Sequence, residues 1–155
     1  MTRQGANSTF LKDNLSRIIK CLGTNKDDKE KAYARSMMLS IDNAHANHPN
    51  HPEYSDQNTH VELNKGIVIK YNANQSYTSD GISSSVVKTL CKEKNIPYQE
   101  FTNRSDLRGG STLGNLSESE VSLTTVDIGL PQLAMHSSYE TMGSRDIDSD
   151  RKSVV

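Results

Sequence analysis

Asp42, His45 and His48 stand at i, i+3 and i+6 of the stretch SIDNAHANHPNHPEYSDQNTH, which holds four of the chain's five histidines. On a helix or tight turn the first two share a face, and a carboxylate beside an imidazole suits a divalent metal or a polar substrate. The spacing alone is weak, because Pro49 and Pro52 end any helix within a turn. His51 and His60 sit among Asn, Pro, Asp and Gln, as in an ordinary loop. The fifth histidine, His136, follows the apolar approach PQLAM, which delivers it to the end of a strand or the start of a helix. Its competing reading is a core histidine satisfied by a backbone carbonyl. Lys70 ends an apolar strand, where its ammonium either meets a substrate carboxylate or snorkels at the strand edge.

Other chemistries find little support. No Gly-x-Ser-x-Gly elbow is present, and neither Cys21 nor Cys91 has an activating context. Gly109, Gly110 and Gly114 in GGSTLG match neither a phosphate loop nor a dinucleotide fingerprint, and read as a close turn before a helix. No Glu-Glu or His-Glu-x-x-His pair supplies a general base together with a zinc ligand.

The elements that must position these residues follow from periodicity. Ser8 is placed to cap TFLKDNLSRIIKCLG, whose Phe10, Leu11, Leu15, Ile18, Ile19 and Leu22 form an apolar face that needs something to pack on. NKDDKEKAYARS reads as a solvated helix, and SMMLSID as a short buried strand ending at Asp42. KGIVIKYN is β-branched and continuous, in the manner of a central strand. Ser79 or Asp80 can cap GISSSVVKTLCKEKN, which turns Val86, Val87, Leu90 and Cys91 inward. IPYQEFTN and LTTVDIGLP read as further strands on either side of a modest helix, and SRDIDSDRKSVV as an aperiodic, loose tail. Alternating strands and helices predict an α/β layered sheet with flanking helices.

Composition sets the limits. At 155 residues the chain fits one domain, and its formal net charge of -1 gives no electrostatic reason to expect nucleic acid or an anionic membrane as a partner. Hydrophobic residues make up 33% and aromatics 5%, with mean hydropathy -0.70, which is lean for a chain that must offset its conformational entropy by burial. No run approaches the roughly 18 apolar residues needed to span a bilayer, and MTRQGANSTF lacks the apolar core of a signal peptide. Two distant cysteines in helical segments read as buried thiols of a reduced compartment, which makes the cytoplasm the expected location.

Together QGANSTFL, SIDNAHANHPN, NKGIVIKYNANQSYTSD, NRSDLRGGSTLG and VDIGLPQLAMHS resemble, in order and spacing, the aspartyl aminopeptidase family of zinc metallopeptidases. The resemblance covers about residues 3–146. It implies the C-terminal part of a catalytic domain over residues 1–146, with residues 147–155 an aberrant or disordered tail. It also implies an enzyme that hydrolyses N-terminal residues, often acidic, from peptides at a site holding two zinc ions, in a homo-oligomer. Asp42 matches the carboxylate that ligates one zinc, and His136 the imidazole that ligates the other. His45, Lys70 and Tyr77 match substrate contacts, although Ser76 stands where many members carry arginine.

The resemblance also implies what this chain lacks. The family's first histidine ligand, its bridging aspartate, the Glu-Glu pair that includes the general base, and the inserted oligomerisation domain have no counterpart here. No catalytic general base is therefore assigned, and the isolated chain is expected to be inactive. The alternatives are a non-catalytic metal-binding or interaction module, in which the histidine loop or unpaired strand edges do the binding, and a gene remnant.

Overall fold

The computed structural model describes residues 3–23 and 25–153; the first two positions of the expected domain and the last two of the expected tail lie outside the described residues. Helices α1 (Phe10–Cys21) and α2 (Lys26–Ala34) lead into strand β1 (Met37–Ile41) and the short β2 (Ala44–His45). After a single 3-10 turn at Pro52–Tyr54 come β3 (Ile67–Tyr71), α3 (Gly81–Glu93), β4 (Tyr98–Thr102) and α4 (Leu113–Glu118). The chain finishes with β5 (Thr124–Gly129), β6 (Pro131–Leu133), β7 (Thr141–Met142) and α5 (Ser144–Ser153).

The main sheet has the order β1-β5-β3-β4. β1 runs parallel to β5 and β3 parallel to β4, and β3 meets β5 antiparallel. β3 and β5 are the interior strands, and each is buried along nearly its whole length. That is why IVIKY carries no exposed polar alternation. Ile67 and Ile69 face Val87 and Cys91 of α3, together with Val126 and Ile128 of β5, and form the principal core. Val68 points the other way, into a smaller cluster with Ala44, Ala46 and Val61.

The α/β layered sheet expected from the sequence is thus present. α3 begins where expected: the Asp80 carboxylate accepts from the Ile82 and Ser83 amides while the Ser83 hydroxyl accepts from the Asp80 amide. A second sheet, in the order β2-β6-β7, was not foreseen, because strands of two or three residues carry no usable periodicity. The segment read as one strand, LTTVDIGLP, is shared between the two sheets. Gly129 makes the crossing feasible, since any Cβ there would collide with the Asp42 carbonyl.

Several expectations are corrected: β1 is an edge strand with Leu39 and Ile41 exposed rather than a buried one, and Val86 and Leu90 of α3 are exposed rather than turned inward. The apolar face of α1 is only partly covered: the helix has no buried residue, Leu11, Leu15 and Ile19 are half-buried, and Phe10, Ile18 and Leu22 are 51%, 55% and 72% exposed. Its cap falls at Thr9 rather than Ser8, without a side-chain capping bond. Cys21 is therefore exposed, whereas Cys91 is buried as expected. The stretch read as a loose tail is helical through Ser153, because it is fastened by polar bonds rather than by an apolar stripe. The fully buried Asp146 carboxylate accepts from the amides of Asn64 (2.6 Å) and Gly66 (2.8 Å).

Candidate functional site

The strand alternation that sends Val68 toward the smaller sheet sends Lys70 to the same side. Lys70 is only 2% exposed. Its Nζ donates to the main-chain carbonyls of Asp42 (2.9 Å) and Asn43 (3.3 Å), and lies 3.8 Å from Asp42 Oδ2. The Tyr77 ring stands 5.2 Å from the same nitrogen. Burial pushes the ammonium below its ordinary value, and the opposing fields of Asp42 and Asp127 do not fully offset it. Two carbonyls, a carboxylate and an aromatic face thus replace the lost water. An interior lysine so held is not snorkelling at an edge, so that competing reading falls.

Tyr77 is itself buried. Its hydroxyl donates to Asn103 Oδ1 (3.1 Å), its ring lies 6.3 Å from that of Phe101, and burial pushes the phenol up. His45 sits on β2, whose parallel pairing with β6 sets it level with Gln132, and it lies within the field of His136 beyond the end of that strand. The His45 imidazole is held below its ordinary value, first by partial withdrawal from water, then by the charges of His136 and Lys70. A neutral imidazole is the form able to accept a hydrogen bond or a metal.

His136 is exposed, which removes the core-histidine reading. It and Ala134 both adopt left-handed backbone, with φ of 67° and 55°. Each such non-glycine residue costs on the order of 1–2 kcal/mol. The turn is held by the Ser137 amide donating to the Ala134 carbonyl (3.0 Å) and the His136 amide donating to Glu140 Oε1 (2.6 Å). Strain of this kind is concentrated where geometry serves a purpose.

A cavity of about 470 Å³ opens beside these residues, lined by His45, Tyr77, Phe101, Arg104, Gln132 and Met135 among others. Of the five sequence-derived candidates, His45 and Tyr77 line it directly. Lys70 stands behind Tyr77, Asp42 is tied to Lys70, and His136 follows the lining residue Met135. His48 and His51 also line the wall, with rings 5.4 Å apart, but His51 is engaged by Glu53 (3.0 Å).

Asp42 and His136 have the chemistry of zinc donors. Among the described residues, however, no three His, Cys, Asp or Glu side chains come together to hold an ion. Tight zinc binding takes three or four protein ligands, so the residues present do not fit a complete metal site by themselves. The histidine loop does not supply one either.

Sequence reasoning missed Gln132, which is 2% exposed and whose Oε1 accepts from Asn43 Nδ2 (2.5 Å). It also missed Asp127, a fully buried carboxylate. The available signal for Asp127 was a charged residue inside the otherwise apolar run VDIGL.

The family described as aminopeptidase I zinc metalloprotease (M18) matches residues 1–153. A probable M18 family aminopeptidase 2 of Clostridium novyi (strain NT) is 49% identical over 145 residues, covering 94% of this chain and 34% of the relative. Among solved structures, the cryo-EM structure of the Ape4 and Nbr1 complex superposes with a TM-score of 0.93 at 36% identity, covering 99% of this chain and 29% of that one. The S. cerevisiae mApe1 dodecamer gives 0.83 at 28% identity, covering 99% and 33%. The chain spans about a third of the length of the curated relatives it matches.

Proposed function

Because this chain belongs to the M18 family of aminopeptidase I zinc metalloproteases, the family its motifs resemble, we propose that it forms the substrate-binding wall of a metalloaminopeptidase. The reaction is hydrolysis of N-terminal residues, often acidic, from peptides. The observation that supports this most is the contact of Lys70 with both Asp42 and Tyr77, the last of which lines the same cavity as His45.

In this reading His45, Lys70 and Tyr77 bind and orient the peptide. The Lys70 ammonium, short of water, favours an anionic partner, and its two carbonyl contacts fix its direction. Tyr77 offers a ring wall and a hydroxyl already steered by Asn103. Asp42 would supply one ligand to one zinc ion and His136 one to another, neither of them a complete ligand set. When bound, the zinc pair would polarise the scissile carbonyl and activate water. In this reading the remaining ligands and the general base would be supplied by other polypeptide, and the chain alone would turn over no peptide. Homo-oligomeric assembly agrees with the edge position of β1, where Leu39 and Ile41 remain 38% and 42% exposed. The free cysteines Cys21 and Cys91 are in keeping with a reducing cytoplasm.

Titration of the isotopically labelled chain with dipeptides tests the binding role. Amide shifts are expected around His45 and Tyr77, with weaker affinity after Lys70→Met and Tyr77→Phe. A chain that shows no response there to any peptide would contradict the reading.

A further inference from the structure

Asp127 sits on interior strand β5, level with Ser40 of β1 on one side. On the other side, the antiparallel register that pairs Ile69 with Ile128 brings Lys70 level with it one step along. Its side chain is fully buried, and three of its contacts leave the sheet. Oδ2 accepts from the Thr78 amide (2.6 Å), the Thr78 hydroxyl (2.8 Å) and the Thr112 hydroxyl (2.9 Å). The Asp127 amide donates to Ser79 Oγ (2.9 Å), whose hydroxyl returns a bond to the Asp127 carbonyl (3.3 Å).

These partners belong to two different loops. Thr78 and Ser79 follow Tyr77, and Thr112 is the N-cap of α4, just after Gly109 and Gly110. Tyr77, Gly109 and Gly110 all line the cavity. The fit around the carboxylate is close: a Cβ at Gly114 would approach Asp127 Oδ1 to 3.0 Å and the Ser40 Cβ to 2.7 Å. Among the described residues Oδ1 has no hydrogen-bond partner, so the side-chain bonds of the carboxylate all go to the two loops through Oδ2. Beside this, its field supports the charge of Lys70.

Resting on the aminopeptidase reading, we infer that Asp127 is a positioning residue for the substrate pocket, a buried carboxylate clamp that locks the Tyr77 loop to the glycine loop across the end of β5. It touches no substrate. Its effect is transmitted through Thr78 to Tyr77 and through Thr112 to the opposite wall.

The test compares two carboxylates that are both fully buried, Asp127 and Asp146, in the full chain. Asp146 fastens α5 to the amides of Asn64 and Gly66, which belong to neither pocket loop. The chain is labelled with 3-fluorotyrosine, the Tyr77 resonance is assigned with Tyr77→Phe, and peptide affinity is measured by titration with Asp-Ala. Asp127→Asn is expected to shift or broaden the Tyr77 resonance and weaken peptide binding roughly tenfold, as when a charge-assisted acceptor becomes neutral. Asp146→Asn is expected to lower the melting temperature while leaving both unchanged. Thr112→Val, which removes one donor to Asp127 together with the side-chain cap of α4, should show the same Tyr77 shift in smaller measure, and it carries the test if Asp127→Asn does not fold. An unmoved Tyr77 resonance in the folded Asp127→Asn or Thr112→Val chain overturns the clamp. Because that resonance is read without ligand, a chain that binds no peptide would count against the aminopeptidase reading and still decide the positioning role.

Discussion

Lys70 Nζ lies 3.8 Å from Asp42 Oδ2 and donates to the main-chain carbonyls of Asp42 (2.9 Å) and Asn43 (3.3 Å). One buried cation therefore fixes both the side chain and the backbone of the residue that the family resemblance makes a metal ligand. Lys70→Met keeps most of the volume but leaves two carbonyls without their donor, at about 1–3 kcal/mol. Urea denaturation should show this loss at neutral pH. A stability equal to that of the unsubstituted chain would mean that the lysine does not hold the Asp42 turn.

Gly66 and Gly23 both adopt left-handed backbone, with φ of 98° and 73°, and separate conformational from steric cost. A Cβ at Gly66 would strike the Pro97 carbonyl, whereas at Gly23 nothing lies within 4 Å. Gly23→Ala should cost about 1 kcal/mol, the price of the conformation alone, and Gly66→Ala on the order of 3 kcal/mol or more. Thermal melts of the two variants check the order.

The cap of α3 should be pH-dependent. Hydrogen bonds from the Ser83 backbone and side chain hold the Asp80 carboxyl below its ordinary value of 3.8. The folded state thus prefers the ionised form, and the stabilisation is present above about pH 3.8 and lost as pH falls through the lower folded value. Asp80→Ala should cost roughly 1 kcal/mol at pH 7, with the difference shrinking in acid. Asp80→Asn should keep much of the cap and remove its pH dependence. Chemical denaturation from pH 2 to 7 measures both.

The two thiols should react very differently. Cys91 is 1% exposed and burial pushes its thiol up, whereas Cys21 is exposed at the end of α1. An aromatic disulfide reagent should modify one thiol rapidly in the native chain and the second only after unfolding. Cys21→Ser should abolish the fast phase; two fast thiols would contradict the placement of α3 against β3.

What the sequence made legible was whatever rests on local pattern. The run IVIKY reads as a central strand, and Ser79 or Asp80 before an apolar-periodic segment bracketed the start of α3, where Asp80 is the cap. α1 misled, because an amphipathic pattern announces a face that wants covering without saying what covers it. α5 was invisible for the opposite reason: Asp146 binds backbone amides some 80 residues away, and no periodicity records that. At the site, residue types and motifs pointed to Asp42, His45, Lys70, Tyr77 and His136. The bond from Lys70 to the Asp42 carbonyl joins residues 28 apart in sequence across the intervening β5, and depends on Gly129 yielding room to that carbonyl. Asp127 and Gln132 serve other side chains and have no motif of their own.

The most direct measurement uses a chimera in which this chain replaces the matching segment of the Clostridium novyi relative, assayed with zinc for release of the N-terminal residue from an Asp- or Glu-peptide. The chain alone should give no hydrolysis above zinc in buffer, and the folded chimera should turn over, with activity lost on Asp42→Ala or His136→Ala. Turnover by the chain alone, or a folded and zinc-loaded chimera without activity, would contradict its role as the substrate-binding wall of a metalloaminopeptidase.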